Sequence, residues 1–279
     1  MLSSPRCACS CKLTESLNGG ETVFSAIVLD LDGTVYRGSE AIPGVAEFVR
    51  RAAAHRIRCL FVTNRANRTP EEIAAQISSF SIPCAPTDVL TSAQAAATFI
   101  ETQSGAAGSA HVLGGPGLRT ALEQRGIRIT DESPEYVVVG YDPDFTYRKL
   151  TVACRLILAG ARYIATNPDR IITTENGILP GTGAIVAAVA EATRVAPLMI
   201  GKPEPLIMET AAERLGLRPD QVLAVGDNLE TDIPAGARAG MKTALILTGV
   251  STRADLARAE TQPDWVVADY DELERLLGF

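Results

Sequence analysis

Short apolar runs rich in valine, isoleucine and leucine recur along the chain, separated by segments of helical period. The runs include FSAIVLDL (24–31), IRCLFVTN (57–64), YVVVGYD (136–142), RYIAT (162–166), PLMIGK (197–202), QVLAVGDN (221–228), KTALILTG (242–249) and DWVVAD (264–269). Helix-patterned segments lie at 43–56, 69–80, 92–103, 205–216 and 232–240; Pro43 opens the first and a Thr-Pro-acid start opens the second. Runs that are apolar at nearly every position, rather than at alternate ones, predict strands covered on both faces. Strands alternating with helices predict βαβ units, so the expected fold class is α/β with a mainly parallel sheet.

Four of these runs end in polar residues: Asp30 and Asp32, Thr63 and Asn64, Gly201 and Lys202, and Gly226 and Asp227. Parallel sheets bind ligands outside the carboxyl ends of their strands, so one rim is expected to gather all four. Asp30 and Asp32 are two apart and point to the same side of a strand. Gly33 lets the chain turn sharply after them. Two adjacent anions repel unless a divalent cation or a proton holds them together. One carboxylate could then attack as a nucleophile while its neighbour shuttles a proton. The plain alternative is a pair of solvated acids in a strand-end loop. Thr63 and Asn64 offer a hydroxyl and an amide suited to phosphate oxygens, and Lys202 offers a charge for an anion or a carboxylate. Asp227 just past a strand and Asp232 at a helix start are hard oxygen donors of the kind that suits Mg²⁺.

The middle of the chain has its own rhythm of strands and helices after the small, linker-like QSGAAGSA at 103–110. It reads as a second α/β domain at 104–197, inserted into a first domain made of 21–103 and 198–279. RVAP at 194–197 is read as the return to the first sheet. GGPG at 114–117 follows a strand but lacks the rest of a dinucleotide fingerprint, and is read as a helix-entry turn. Residues 1–20 carry Cys7, Cys9 and Cys11 without any strand or helix pattern. They are read as a disordered tail, since a closed zinc site needs a fourth ligand. Cys59, Cys84 and Cys154 are read as reduced packing residues.

The formal net charge is −7 with no basic stripe, which argues against a nucleic-acid partner. No apolar stretch reaches the roughly 18–20 residues of a membrane span, and the first twenty residues lack a signal-peptide core. The expectation is a cytoplasmic protein with no membrane partner.

DLDGT, VTN, GKP and GDNLETDI resemble motifs I to IV of the haloacid-dehalogenase superfamily of phosphohydrolases, over nearly the whole chain from about residue 24. NRANRTPEEI, ATNPD, PGTGAI, IGKPEPLI and LTGVST resemble more narrowly its subclass IIA. That branch has a C2-type cap and includes NagD-like, 4-nitrophenylphosphatase-like and sugar-phosphate phosphatases. The resemblance implies a Rossmann-like core with a cap between motifs II and III, where the inserted domain falls. It implies a Mg²⁺-dependent phosphomonoesterase of small phosphorylated metabolites, with 4-nitrophenyl phosphate as an artificial substrate. Asp30 would be the nucleophile that forms an aspartyl-phosphate. Asp32 would be the acid/base, its carbonyl also a metal ligand. Thr63, Asn64 and amides near Gly33 would hold the phosphoryl group. Lys202 would bridge phosphoryl group and Asp30, Asp227 would bind the metal, and Asp232 would support the metal's waters or Lys202. Arg65 stands where many relatives have a second asparagine and is expected to contact substrate or cap. Asn167, Asp169 and Arg170 form the cap loop where the family places substrate-discriminating residues. Caps of this type often pair, so a homodimer through the cap is expected.

Two other readings compete. A phosphomutase also uses an aspartyl-phosphate, but the familiar mutases of this superfamily place their cap between motifs I and II. A catalytically silent binding protein would have no need of all four motifs.

Overall fold

The computed structural model describes residues 24–104, 108–174 and 177–279. The tail at 1–20, with Cys7, Cys9 and Cys11, lies outside the described residues, as do 105–107 of the linker-like stretch. The chain enters at β1 (Ala26–Leu29) and makes a two-residue hairpin of β2 (Tyr36–Arg37) and β3 (Glu40–Ala41). It continues through α1 (Val45–Ala54), β4 (Arg58–Thr63), α2 (Pro70–Ser79), β5 (Val89–Thr91) and α3 (Ser92–Ser104). Then come β6 (Ser109–Leu113), α4 (Pro116–Gln124), β7 (Arg128–Ile129), β8 (Tyr136–Val139), α5 (Tyr147–Leu158) and β9 (Arg162–Ala165). An antiparallel pair, β10 (Ile171–Thr174) and β11 (Gly177–Pro180), precedes α6 (Thr182–Thr193) and β12 (Leu198–Met199). The chain closes with α7 (Leu206–Leu215), β13 (Val222–Gly226), α8 (Asp232–Arg238), β14 (Lys242–Ile246), β15 (Trp265–Val267) and α9 (Tyr270–Leu277).

Two parallel sheets organise these elements. The first has the order β15-β14-β13-β1-β4-β5, with β1 at its centre between β13 and β4. The second has the order β12-β9-β8-β6-β7. One sequence expectation is corrected here. The chain does not rejoin the first sheet at 194–197, because β12 pairs with β9 and extends the second sheet. Lys202 therefore leaves a strand of the second sheet and reaches across to the first. β10 and β11 lie outside the strand-like runs of the sequence.

The strands are buried on both faces because alternate residues feed different cores. Ala26 and Val28 of β1 face α3, α7 and α8, whereas Ile27 and Leu29 face α1, α2 and α9. The first of these cores does not stop at its own sheet. It continues through Ile100 of α3 and Leu118 and Leu122 of α4 to Tyr136, Val138 and Ile164 of the second sheet. The far face of that sheet is covered by α5 and α6 through Ile157, Ile185, Val186 and Val189. Local signals set the helix starts. Thr69 and Glu72 form a reciprocal capping box with Pro70 at the first helical position, and Thr146 and Asp269 cap α5 and α9.

At one place the two halves meet backbone to backbone. Gly117, in the first turn of α4, donates its N–H to the Asn67 carbonyl at 3.3 Å. A Cβ there would lie 2.6 Å from the Asn67 carbonyl carbon and 2.7 Å from the Arg68 nitrogen, so only glycine permits the approach. Gly117→Ala should force these segments apart and lower stability by roughly 1–3 kcal/mol, the usual range for overpacking. A urea midpoint equal to that of the unsubstituted protein would show that the junction is looser than this.

Candidate active site

The carboxyl ends of both sheets contribute to one buried acidic cluster. Asp30 follows β1, and its N–H continues the ladder to the Val225 carbonyl at 3.0 Å. The chain then tightens. Gly33, at φ +86°, donates to the Tyr36 carbonyl, and Val35 and Tyr36 donate back to Leu31. A Cβ on Gly33 would fall 2.7 Å from the Asp227 carboxyl carbon, so the glycine lets that carboxylate lie against the loop. Asp227 follows β13. It accepts from Val250 N–H at 2.6 Å on Oδ2 and from the Thr34 hydroxyl at 3.4 Å on Oδ1. Asp232 opens α8, its Oδ2 taking the Asn228 N–H at 3.1 Å. Carboxylate oxygens of Asp30, Asp227 and Asp232 lie within 4.8 Å of one another.

The cation among these acids is Lys202, 2% exposed. Its Nζ donates to Asp30 Oδ1 and to Asp232 Oδ1, the latter at 2.7 Å, with the Val62 carbonyl at 3.4 Å. Burial alone would lower the ammonium's pKa, but Asp232 and Asp30 outweigh it and hold Lys202 above its ordinary value. One lysine does not offset three acids. Burial pushes the Asp30 carboxyl well above the usual range against the pull of Lys202, with Asp232 and Asp227 adding to the rise. Burial and the neighbouring Asp232 push Asp227 up to about 6.

Asn64 ties three segments together. Its Oδ1 accepts from the Lys202 N–H at 2.9 Å, and its Nδ2 donates to the Lys202 carbonyl at 3.0 Å and to Asp169 Oδ1 at 3.1 Å. Its carbonyl accepts from Asn167 Nδ2 at 2.8 Å and from the Ser92 hydroxyl at 2.6 Å. Asn167 Oδ1 takes the Asp169 N–H at 3.1 Å, which shapes the loop. Burial raises the Asp169 carboxyl, and the bond from Asn64 acts against the rise.

Several expected site residues thus converge, and others do not. Asp30, Asp227, Asp232 and Lys202 form one cluster, with Gly33 beside it and the buried Thr63 at the adjoining strand end. The Asn64 side chain is engaged with Lys202 and Asp169 in this arrangement. Asp32 stands outside the cluster, half-exposed, and pairs with Arg65 at 2.7 Å. Arg170 is exposed, and its carbonyl takes the Gly181 N–H. Sequence reasoning assigned no role to Thr34, Ser92, Asn228 or Val250, which fix these carboxylates and Asn64. Thr34, Asn228 and Val250 lie inside the DLDGT, GDNLETDI and LTGVST stretches, so a signal was present for three of them.

The donor set suits a divalent cation. All the donors are carboxylate oxygens, they converge, and the negative charge exceeds what Lys202 offsets.

Comparison with known proteins follows the same lines. A family model for haloacid dehalogenase-like hydrolases matches residues 27–128, and a second, HAD-hydrolase-like model matches 199–273. An acid sugar phosphatase of Staphylococcus haemolyticus is 41% identical over 257 residues, covering 90% of this chain and 97% of that protein. The structure of a p-nitrophenyl phosphatase from Archaeoglobus fulgidus superposes with a TM-score of 0.85 at 32% identity, covering 92% of this chain and 100% of the other. A 4-nitrophenylphosphatase from Thermotoga maritima superposes with a TM-score of 0.86 at 33% identity, covering 92% and 98%.

Asn64→Asp tests the tie. It is nearly isosteric but replaces the donor facing Asp169 with another buried carboxylate. A stability loss of about 3 kcal/mol or more is expected in chemical denaturation, because an unpaired buried charge costs more than a lost neutral bond. An unchanged midpoint would mean that the amide is not what joins the segments.

Proposed function

The chain is a haloacid dehalogenase-like hydrolase and a phosphatase of that family, and we propose that it hydrolyses small phosphorylated metabolites, sugar phosphates among them, through a phosphoenzyme on Asp30. The observation that carries this reading is the Lys202 ammonium shared by Asp30 and Asp232. It occupies one oxygen of Asp30 and leaves Oδ2 without a partner among the described residues. A carboxylate held in this way is aimed, and its free oxygen is the nucleophile.

The steps follow from the side chains. Asp30 Oδ2 attacks phosphorus, and the bond from phosphorus to the leaving oxygen breaks. Asp32, as the acid, gives its proton to that oxygen. Asp32, now a carboxylate, takes a proton from water as the water oxygen attacks the aspartyl-phosphate. The bond between phosphorus and Asp30 breaks, and Asp30 and inorganic phosphate are released. Lys202 neutralises charge on the phosphoryl oxygens beside Asp30, and the Thr63 hydroxyl with amides near Gly33 orients them. Asp232 holds Lys202 in place, since its own oxygens are taken by Lys202 and the Asn228 N–H. Asp30, Asp227 and the Asp32 carbonyl would hold Mg²⁺, with Asp232 behind them. Once bound, the ion supplies positive charge to the acidic cluster and to the phosphoryl oxygens.

The unit built on the second sheet is proposed to act as the cap. Asn167 and Asp169 are among its contacts with Asn64, and pairing through the cap would make a homodimer. Among the described residues no helix is long and apolar enough to cross a membrane. A cytoplasmic location without nucleic-acid partners belongs to the same proposal.

Chelation should abolish turnover, with Mg²⁺ restoring it; full activity after exhaustive chelation would overturn the metal requirement. Asp30→Asn should be inactive on every substrate, because an amide is a poor nucleophile. Asp32→Asn should release about one equivalent of nitrophenolate per enzyme from nitrophenyl phosphate and then stall, because nitrophenolate leaves without a proton while the phosphoenzyme waits for a base. Rapid mixing that shows no burst would remove Asp32 from the acid/base role. Isomer formation from a sugar phosphate, without phosphate release, would indicate a mutase instead.

A further inference from the structure

We propose that Arg65 is a positioning residue for Asp32, holding one carboxylate oxygen so that the other faces the leaving group. The proposal rests on the acid/base role given to Asp32 above. Three observations support it.

The first is register. Strand β1 pairs with β4 so that Leu29 lies opposite Phe61. The segments that leave these strands, 30–32 and 64–65, therefore run side by side at the rim. The Arg65 N–H donates to Thr63 Oγ1 at 3.1 Å, which fixes how the second segment leaves its strand. From there Arg65 Nη2 reaches Asp32 Oδ1 at 2.7 Å.

The second is separation. The Asp32 carboxylate is not part of the cluster formed by Asp30, Asp227 and Asp232. Among the described residues its ion-pair partner is Arg65. A half-exposed aspartate without that partner is free to choose among its χ1 rotamers. The bond falls on Oδ1 alone and leaves Oδ2 to handle a proton.

The third is the weakness of the pair as a structural device. The Arg65 and Asp32 side chains are 35% and 49% exposed, and pairs so exposed contribute little to folding. Fixing the direction of a carboxylate matters where a proton must pass to one particular oxygen.

The test uses Arg65→Met and Arg65→Lys in the full chain with Mg²⁺, on two substrates, nitrophenyl phosphate and glucose 6-phosphate. Arg65→Met should lower kcat on the sugar phosphate about tenfold, a fraction of the 10²–10⁴ that acid–base catalysis supplies. It should slow the nitrophenolate burst less than about threefold, because that leaving group needs no proton. KM should stay within about twofold on both, as expected for a residue that acts through Asp32 and not on substrate. Arg65→Lys, which keeps the charge but not the planar fork, should recover part of the loss. The thermal midpoint should move by less than about 3 °C. In an Asp32→Asn background, Arg65→Met should add no further loss, because the two residues act as one unit. Equal impairment of phosphoenzyme formation from both substrates would overturn the proposal. So would a rise in KM with kcat preserved, or an additive loss in the double variant. Asp32→Asn alone separates the two levels. If it shows no dependence on the leaving group, the acid/base reading fails. If it does and Arg65→Met does not, the positioning proposal alone fails.

Discussion

Three carboxylates and one ammonium share a space that water barely reaches. Burying a charge is costly unless it is paired and hydrogen-bonded, and breaking such a pair leaves an uncompensated ion. Lys202 meets that condition for Asp30 and Asp232 together. Asp227 is managed differently, by the Val250 N–H, the Thr34 hydroxyl and the close approach that Gly33 allows. Even so, burial keeps the carboxyls of Asp30 and Asp227 above their usual range, so their charged forms are poorly stabilised there and the cluster favours a proton or a cation. That preference exists because the strands on either side are apolar at nearly every position.

The position of Lys202 depends in turn on an amide. Asn64 grips the lysine's backbone with both ends of its side chain and holds Asp169 with the same nitrogen. Around it the α3–α4–α7 helices form a continuous apolar core that reaches both sheets. The polar tie and the apolar seam run in the same direction, from the first sheet to the second. The lysine is held at its backbone and its tip, and its aim does not depend on a flexible side chain finding its partners.

The architecture was legible where the physics is local. Strands such as β1 and β13 are buried on both faces and announce themselves as unbroken apolar runs; α2 announces itself through Thr69, Pro70 and Glu72. Two-residue strands such as β2, β3 and β7 have no period to read. The strand before Lys202 was legible as a strand but not in its allegiance, since pairing with β9 is decided by the crossover and not by Leu198 or Met199 themselves. The same limit applies at the site. Residue type marked Asn64 and Arg65 as hydrogen-bonding groups. Their partners depend on which strand ends lie side by side, and that is a property of the assembled sheet.

The contact between Lys202 and Asp30 joins residues 172 positions apart in sequence. Closing so long a loop costs entropy that grows only slowly with length, so the finished chain bears it easily. A growing chain is in a different position. When β1 and β4 have emerged, Asp30 ends an apolar strand with no ammonium to meet it, and Asp227 and Asp232 are still to come. The segment best suited to early collapse therefore carries an acid that opposes its own burial. The first sheet also lacks its central neighbour β13 until after residue 221. Order in this half of the molecule thus waits on its last quarter, and a fragment ending before Lys202 would present an apolar strand edge and an unneutralised carboxylate side by side, the combination that invites misassembly.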